Sequence, residues 1–191
     1  MTFVLIIIVF CASSFVIAGN AYAEPLGFRR VRATFSLGLD AFDALMGDFG
    51  SATDVGMSVY AETTLQMFGY FGLNLRFGTA RGFTEKEYLP FDNGYQFIYL
   101  TFAPRVYFAP FRKAYVFFYM QPEISLKVMM SNTLVKVTGN HEMTGGVGGA
   151  IGVQYIIGIV SITGQVYTDY HWQLKTLFIG GGITVGIAST L

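Results

Sequence analysis

From residue 24 onward, apolar side chains recur at every second position, the period of a strand with one apolar face, not that of a helix. In the stretch 177–191 the odd positions are Leu177, Ile179, Gly181, Ile183, Val185, Ile187, Ser189 and Leu191. The even positions are Phe178, Gly180, Gly182, Thr184, Gly186, Ala188 and Thr190, so one face is aliphatic and the other small or weakly polar. Between 160 and 172, Val160, Ile162, Val166, Tyr170 and Trp172 alternate with Ser161, Thr163, Gln165, Asp169 and His171. Between 114 and 129, Val116, Phe118, Met120, Ile124, Leu126 and Val128 alternate with Tyr115, Tyr119, Gln121, Glu123, Ser125 and Lys127. The segments 31–40, 55–65, 70–80, 95–108 and 147–157 repeat the pattern, which makes eight in all. Each has the length of about ten residues with which a tilted strand crosses a bilayer.

The links between segments alternate as well. Three are long and polar, near 41–54, 81–94 and 130–146. Those near Gln66–Gly69, Ala109–Lys113 and Gly158 are short, and so is the one near Leu174. Long loops at one end and tight turns at the other are the habit of outer-membrane barrels. Pro104 and Pro122 fall inside expected strands, where each removes a ladder donor. The alternation runs through both, which predicts a local irregularity and not a strand end.

Period two also fits a soluble barrel, so sidedness must decide. The polar phase carries Arg32, Glu62, Arg76, Arg105, Glu123, Lys127 and Asp169, with Asn74, Gln121, Gln154 and Gln165, while the apolar phase needs no mid-strand charge. A basic residue facing lipid at mid-membrane costs about 2–4 kcal/mol. Seven charges turned outward into lipid would therefore exceed a typical stability of about 5–15 kcal/mol. Turned inward, cations and carboxylates can pair and bond to Tyr, Gln and Asn, as a dry interior requires. The alternative is a soluble, lipocalin-like carrier with an apolar cavity. The many glycines on the polar face suit a crowded interior better than a solvated surface.

Composition agrees with the membrane reading. Charged residues make up 13% of the 191, aromatics 17%, and mean hydropathy is positive. Yet past the N-terminus no apolar run approaches the roughly 20 residues of a spanning helix. The 12 basic and 12 acidic residues cancel, which gives no reason to expect nucleic acid as a partner. At the N-terminus the apolar core LIIIVFCASSFVIAG precedes Ala21 and Ala23, a small-x-small site that places signal-peptide cleavage after Ala23. Residues 1–23 are then the signal peptide and 24–191 the barrel domain. No Lys or Arg precedes the apolar core, so an uncleaved anchor helix is the alternative there. Cys11 lies within the apolar core, which leaves the mature chain without thiol chemistry.

Residues in a pattern that points to catalysis or metal binding are few. His171 shares a phase with Asp169, and a serine beside them would suggest a lipid-modifying hydrolase or acyltransferase. Ser161 lies about 33 Å away along the strand and is excluded; Ser125 is nearer the right end, and nothing in the sequence fixes its place. A rim histidine paired with an interior carboxylate is the simpler expectation. His141 and Glu142 have no metal-ligand companions at a recognised spacing. Asp40, Asp43, Asp48 and Asp54 in the first long loop lack the alternating order of a calcium loop. In the same loop, Phe42, Leu45, Met46 and Phe49 suggest a short helical turn or a contact surface. Gly145, Gly146, Gly148 and Gly149 lead into a strand and form no phosphate cradle.

On these features the chain resembles the small outer-membrane β-barrel superfamily, the eight-stranded type of outer-membrane proteins A and X. The resemblance rests on the signal peptide, the eight alternating segments, the Gly-rich strands and the final GGGITVGIASTL, and it covers residues 28–191. It is a match of pattern and informs fold more than function. Leu191 departs from the aromatic residue with which such barrels usually end, and the resemblance reaches only the barrel part of the two-domain anchor.

The expected fold is an all-β, antiparallel, up-and-down transmembrane barrel of about eight strands. The expected function is a porin-like but non-enzymatic barrel of the Gram-negative cell envelope, with a filled interior and no cofactor or metal. Its loops would serve envelope integrity or surface interaction. Its partners would be outer-membrane lipid and the assembly machinery, with any surface ligand left open, and a monomer is expected. Arg32, Glu62, Arg76, Arg105, Glu123, Lys127 and Asp169 are the expected interior network, with a structural role.

Overall fold

A computed structural model describes residues 31–46, 55–67, 70–83, 95–108, 116–130 and 143–190. The signal peptide and its cleavage site, His141, Glu142, Asp48, Phe49, Asp54 and Leu191 all lie outside the described residues. Eight strands form: β1 Arg32–Met46, β2 Val55–Met67, β3 Phe71–Phe83, β4 Tyr95–Phe108, β5 Val116–Met129, β6 Met143–Ile157, β7 Val160–His171 and β8 Thr176–Thr190. Each pairs antiparallel with its sequence neighbour, and β8 returns to β1 to close the barrel.

The strands run farther toward the long-loop end than the sequence suggests. β1 continues to Met46, β3 to Phe83, and β6 begins at Met143, so parts of all three expected loops are strand. The physical reason is visible in β1. Asp40, Phe42 and Ala44 keep the inward phase and are buried, while Ala41 and Leu45 stay exposed. An aspartate and a phenylalanine resemble loop residues only until the inside of the barrel is known to hold both kinds. Phe42, Leu45 and Met46 accordingly form neither a helical turn nor a loop.

The wall has a clear orientation. Leu37, Ile124, Ile183 and Ile187 are 62%, 63%, 60% and 63% exposed, whereas Arg105 and His171 are 0% exposed. Apolar outside and polar inside inverts a soluble barrel, and it is the surface of a barrel whose solvent is hydrocarbon.

Two local devices close this wall. At the β6–β7 hairpin, Ile157 pairs with Val160 across Gly158 and Ile159, and Gly158 has a φ of 60°, as the first position of a type II′ turn requires. At β4–β5 the ladder runs from Phe97↔Met129 to Phe102↔Ile124 and resumes at Val106↔Met120, without a shift of register. Pro104 and Pro122 stand opposite each other in the gap. With both amide hydrogens missing at one pair, the bonds on either side are lost together, and the expected irregularity is confined to this place.

Inward aromatics rest on glycines of neighbouring strands. A Cβ on Gly38 would lie 2.3 Å from the Tyr60 ring, one on Gly56 2.2 Å from Phe42, and one on Gly180 2.5 Å from Tyr167. These glycines on the polar phase are therefore sockets for large side chains, while Gly148, Gly182 and Gly186 stand against backbone or smaller groups. Gly148 is the most constrained against backbone: a Cβ there would stand 2.0 Å from the Thr168 carbonyl oxygen. Gly148→Ala is expected to cost about 2 kcal/mol through forced backbone displacement, read as a lower urea midpoint of the folded barrel.

The interior is layered. Phe42, Phe97, Met129, Leu174 and Phe178 pack together at the long-loop end. Tyr107, Phe117, Tyr119, Ile156 and Ala188 pack at the short-turn end. Charged and amide side chains occupy the middle, between the two aromatic clusters.

Candidate functional site

The polar middle layer is organised by alternate residues of facing strands. Glu62, from the centre of β2, stands between two guanidinium groups. Arg76 Nη2 lies 3.2 Å from Glu62 Oε2, and Arg105 Nη2 lies 3.1 Å from Glu62 Oε1. Arg76 also donates to Gln165 Oε1 at 2.8 Å and stands 3.9 Å from Glu123. Arg105 donates through Nε to Gln121 Oε1, whose amide donates in turn to Glu123. Lys127 Nζ meets Asp169 Oδ2 at 2.8 Å.

The aromatic layers meet the cations with their ring faces. The Arg105 guanidinium sits 4.0 Å from the Tyr119 centroid and Lys127 Nζ 3.8 Å from that of Phe178, both within cation–π range. Rings from both aromatic clusters thus flank the cations of the layer and take up part of their charge.

The structure places Glu62, Arg76, Arg105, Glu123, Lys127 and Asp169 inside this one layer, each buried. Arg32 is set apart. It is half-buried at the short-turn end, its guanidinium 5.8 Å from the Phe117 centroid. Asp40, assigned to the first loop by its polarity, proves to be interior: it is buried and accepts a hydrogen bond from Tyr60 Oη at 2.9 Å. Among the described residues, four buried carboxylates (Asp40, Glu62, Glu123 and Asp169) therefore share the interior with Arg76, Arg105 and Lys127. Between them is a void of about 20 Å³, lined by Asp40, Arg76, Glu123, Lys127 and Asp169 among others. That is room for about one water.

Near the long-loop end, Ser125, Asp169 and His171 come together, which the sequence could not establish. Ser125 Oγ donates to Asp169 Oδ1 at 2.8 Å and stands 3.1 Å from His171 Nε2; the same Nε2 is 2.7 Å from Asp169 Oδ2. The histidine paired with an interior carboxylate is thus present. Gly146 permits the arrangement, since a Cβ there would fall 2.5 Å from His171 Nε2.

The composition is that of a nucleophile relay, but the connectivity is different. A relay holds serine on one imidazole nitrogen and the carboxylate on the other. Here Nε2 faces both groups, and Nδ1 makes no hydrogen bond. Asp169 acts instead as an acceptor for Lys127, Ser125 and His171. Ser125→Ala is therefore expected to lower stability by about 1.5 kcal/mol, the worth of a hydrogen bond to a charged group, measured by urea unfolding. Ser161 bonds to Gln154 Nε2 at the opposite end of the barrel and takes no part. Among the described residues, no group of three or more His, Cys, Asp or Glu is placed to hold a metal ion.

No protein-family model matches the chain, and no curated protein matches it in sequence. Solved structures do. Neisserial surface protein A (NspA) superposes with a TM-score of 0.57 at 13% identity, over 83% of this chain and 95% of that one. Ail, the attachment invasion locus protein of Yersinia pestis, gives 0.54 at 11% identity, over 83% and 98%. The outer membrane protein OprG from Pseudomonas aeruginosa gives 0.59 at 12% identity, over 88% and 99%. At such identities the likeness concerns fold alone. Together with the closed eight-stranded sheet and its apolar outer face, it shows that this chain has the fold of the small eight-stranded outer-membrane β-barrels.

Proposed function

We propose that the protein resides in the bacterial outer membrane as a non-enzymatic barrel, plugged by its own side chains. It serves envelope integrity or surface interaction through the loops at its long-loop end. The observation that supports this reading is the occupied interior: ion-paired side chains from Glu62 to Asp169 between two aromatic clusters, inside an apolar wall. An eight-stranded barrel is just wide enough for side chains to fill it, so the network has a structural role and no path for solute is needed. Outer-membrane lipid and the barrel assembly machinery are then its partners, and a monomer suffices for a closed sheet. The surface role draws support from the similar structures, two of which carry the names of a surface protein and an attachment protein.

A lipid-modifying activity is the second reading, favoured by the meeting of Ser125 and His171. Against it stand the shared Nε2 and the complete burial of His171.

Three experiments test the proposal. In planar bilayers the purified barrel is expected to give no discrete conductance steps. On overexpression, the lipid A and phospholipid profile is expected to stay unchanged. Regular steps, or a lipid change that disappears in His171→Ala, would reject the non-enzymatic, plugged barrel. Cells without the protein are expected to lose detergent tolerance or surface adherence, and normal behaviour in both would reject the physiological role.

A further inference from the structure

The outer wall is not smooth. Across β5–β8 it carries a recess of about 450 Å³, lined almost entirely by carbon. Its floor is Gly149, an outward position without a side chain. A Cβ there would meet only the Gln121 carbonyl oxygen at 3.2 Å and Pro122 Cα at 3.9 Å. Its rim is built by Met120 and Pro122 on β5, Ile151 on β6, Val166 and Thr168 on β7 and Ile179 on β8.

The recess begins at the middle of β5 and β6 and rises toward the long-loop ends of β7 and β8. It is continuous with the exposed apolar belt, since Ile151 and Val166 are 60% and 56% exposed. Whatever touches this belt also has access to the recess.

We infer that the recess is a binding groove for a single acyl chain of a membrane lipid from the leaflet on the long-loop side. This rests on the membrane reading above and adds a defined lipid site to it. Hydrocarbon gains nothing by leaving hydrocarbon, so retention must come from packing. On a convex barrel wall a chain touches protein on one side only. In the recess it meets the glycine floor and side chains on two flanks, and the many small dispersion gains add up. Thr168, exposed on the same rim, supplies a hydroxyl for an ester or hydroxyl group of the lipid.

The test uses the full chain in nanodiscs made from one phospholipid, released into the gas phase for native mass spectrometry. The unmodified barrel is expected to retain one lipid. Val166→Trp and Thr168→Phe, which fill the groove from its rim, are expected to lose most of that adduct. Ile183→Trp, equally lipid-facing but outside the groove, is expected to keep it. An adduct as abundant in the two groove variants as in the unmodified barrel, or none in any form, overturns the groove. A chain that never enters the nanodisc overturns the membrane reading along with it. Electrophoretic mobility before boiling confirms that each variant is folded, and either groove variant suffices.

Discussion

Replacing Arg105 by Leu is expected to lower the unfolding free energy by about 3–5 kcal/mol, the cost of breaking a buried ion pair by removing one partner. The side chain is 0% exposed and holds Glu62, Gln121 and the face of Tyr119 together. Leucine leaves Glu62 Oε1 with only the long 3.4 Å hydrogen bond from the Thr64 hydroxyl, and takes the guanidinium donor away from Gln121 Oε1, both inside a buried layer. Arg76 still pairs with Glu62 Oε2, which keeps the loss from being larger. Against a typical total of about 5–15 kcal/mol, a shift of this size is a plain change in the urea midpoint of vesicle-embedded protein. Replacing Glu62 by Gln in the same chain should recover part of the loss, because the two side chains form one network. An unchanged midpoint for Arg105→Leu would contradict the structural role given to the interior charges.

Ile183→Arg probes the other face. Ile183 stands at the centre of β8 and is 60% exposed. A guanidinium there would face the middle of the hydrocarbon and cost about 2–4 kcal/mol. In a water-soluble barrel the same exchange would be a surface substitution within about 0.5 kcal/mol of neutral. The comparison separates the two kinds of barrel more sharply than any interior variant, because an interior charge is costly to disturb in both. The measurement is the yield of folded barrel on insertion into vesicles at graded urea, with Ile183→Ala as the reference for lost apolar contact.

Much of this was legible in the sequence because one physical signal repeats eight times. Alternation gave both the strand count and the wall orientation, and it assigned Glu62, Arg76, Arg105, Glu123, Lys127 and Asp169 to one face. It failed where inward residues look like loop residues. Asp40 and Phe42 sit in phase with Ser36, yet an acidic residue followed by an aromatic one suggested the start of a loop. The aromatic layers were less legible: Phe42 falls in the expected first loop, and only a closed barrel brings the rings of Phe42, Phe97 and Phe178 within about 6 Å of one another.

The Ser125–His171 contact shows the limit most clearly. Gly146 pairs with His171 on one side and with Ser125 on the other. The first register follows from the two-residue turn at Gly158, which the sequence announces. The second spans a long loop, whose length leaves register free. Half of that contact was therefore derivable and half was not. Similarly, Pro104 and Pro122 could each be recognised as ladder breakers, but that they share a single pair position depends on the β4–β5 register.

The most direct test of the closed, membrane-spanning barrel is its electrophoretic mobility. Protein extracted from isolated outer membranes would be run on a detergent gel with and without boiling. A detergent-resistant closed barrel is expected to migrate as a compact species before boiling and as the unfolded 21.1 kDa chain, or its processed form, afterwards. A single band at one position under both conditions, with the protein recovered from the soluble periplasmic fraction, would contradict the account. It would mean that the apolar wall meets something other than lipid.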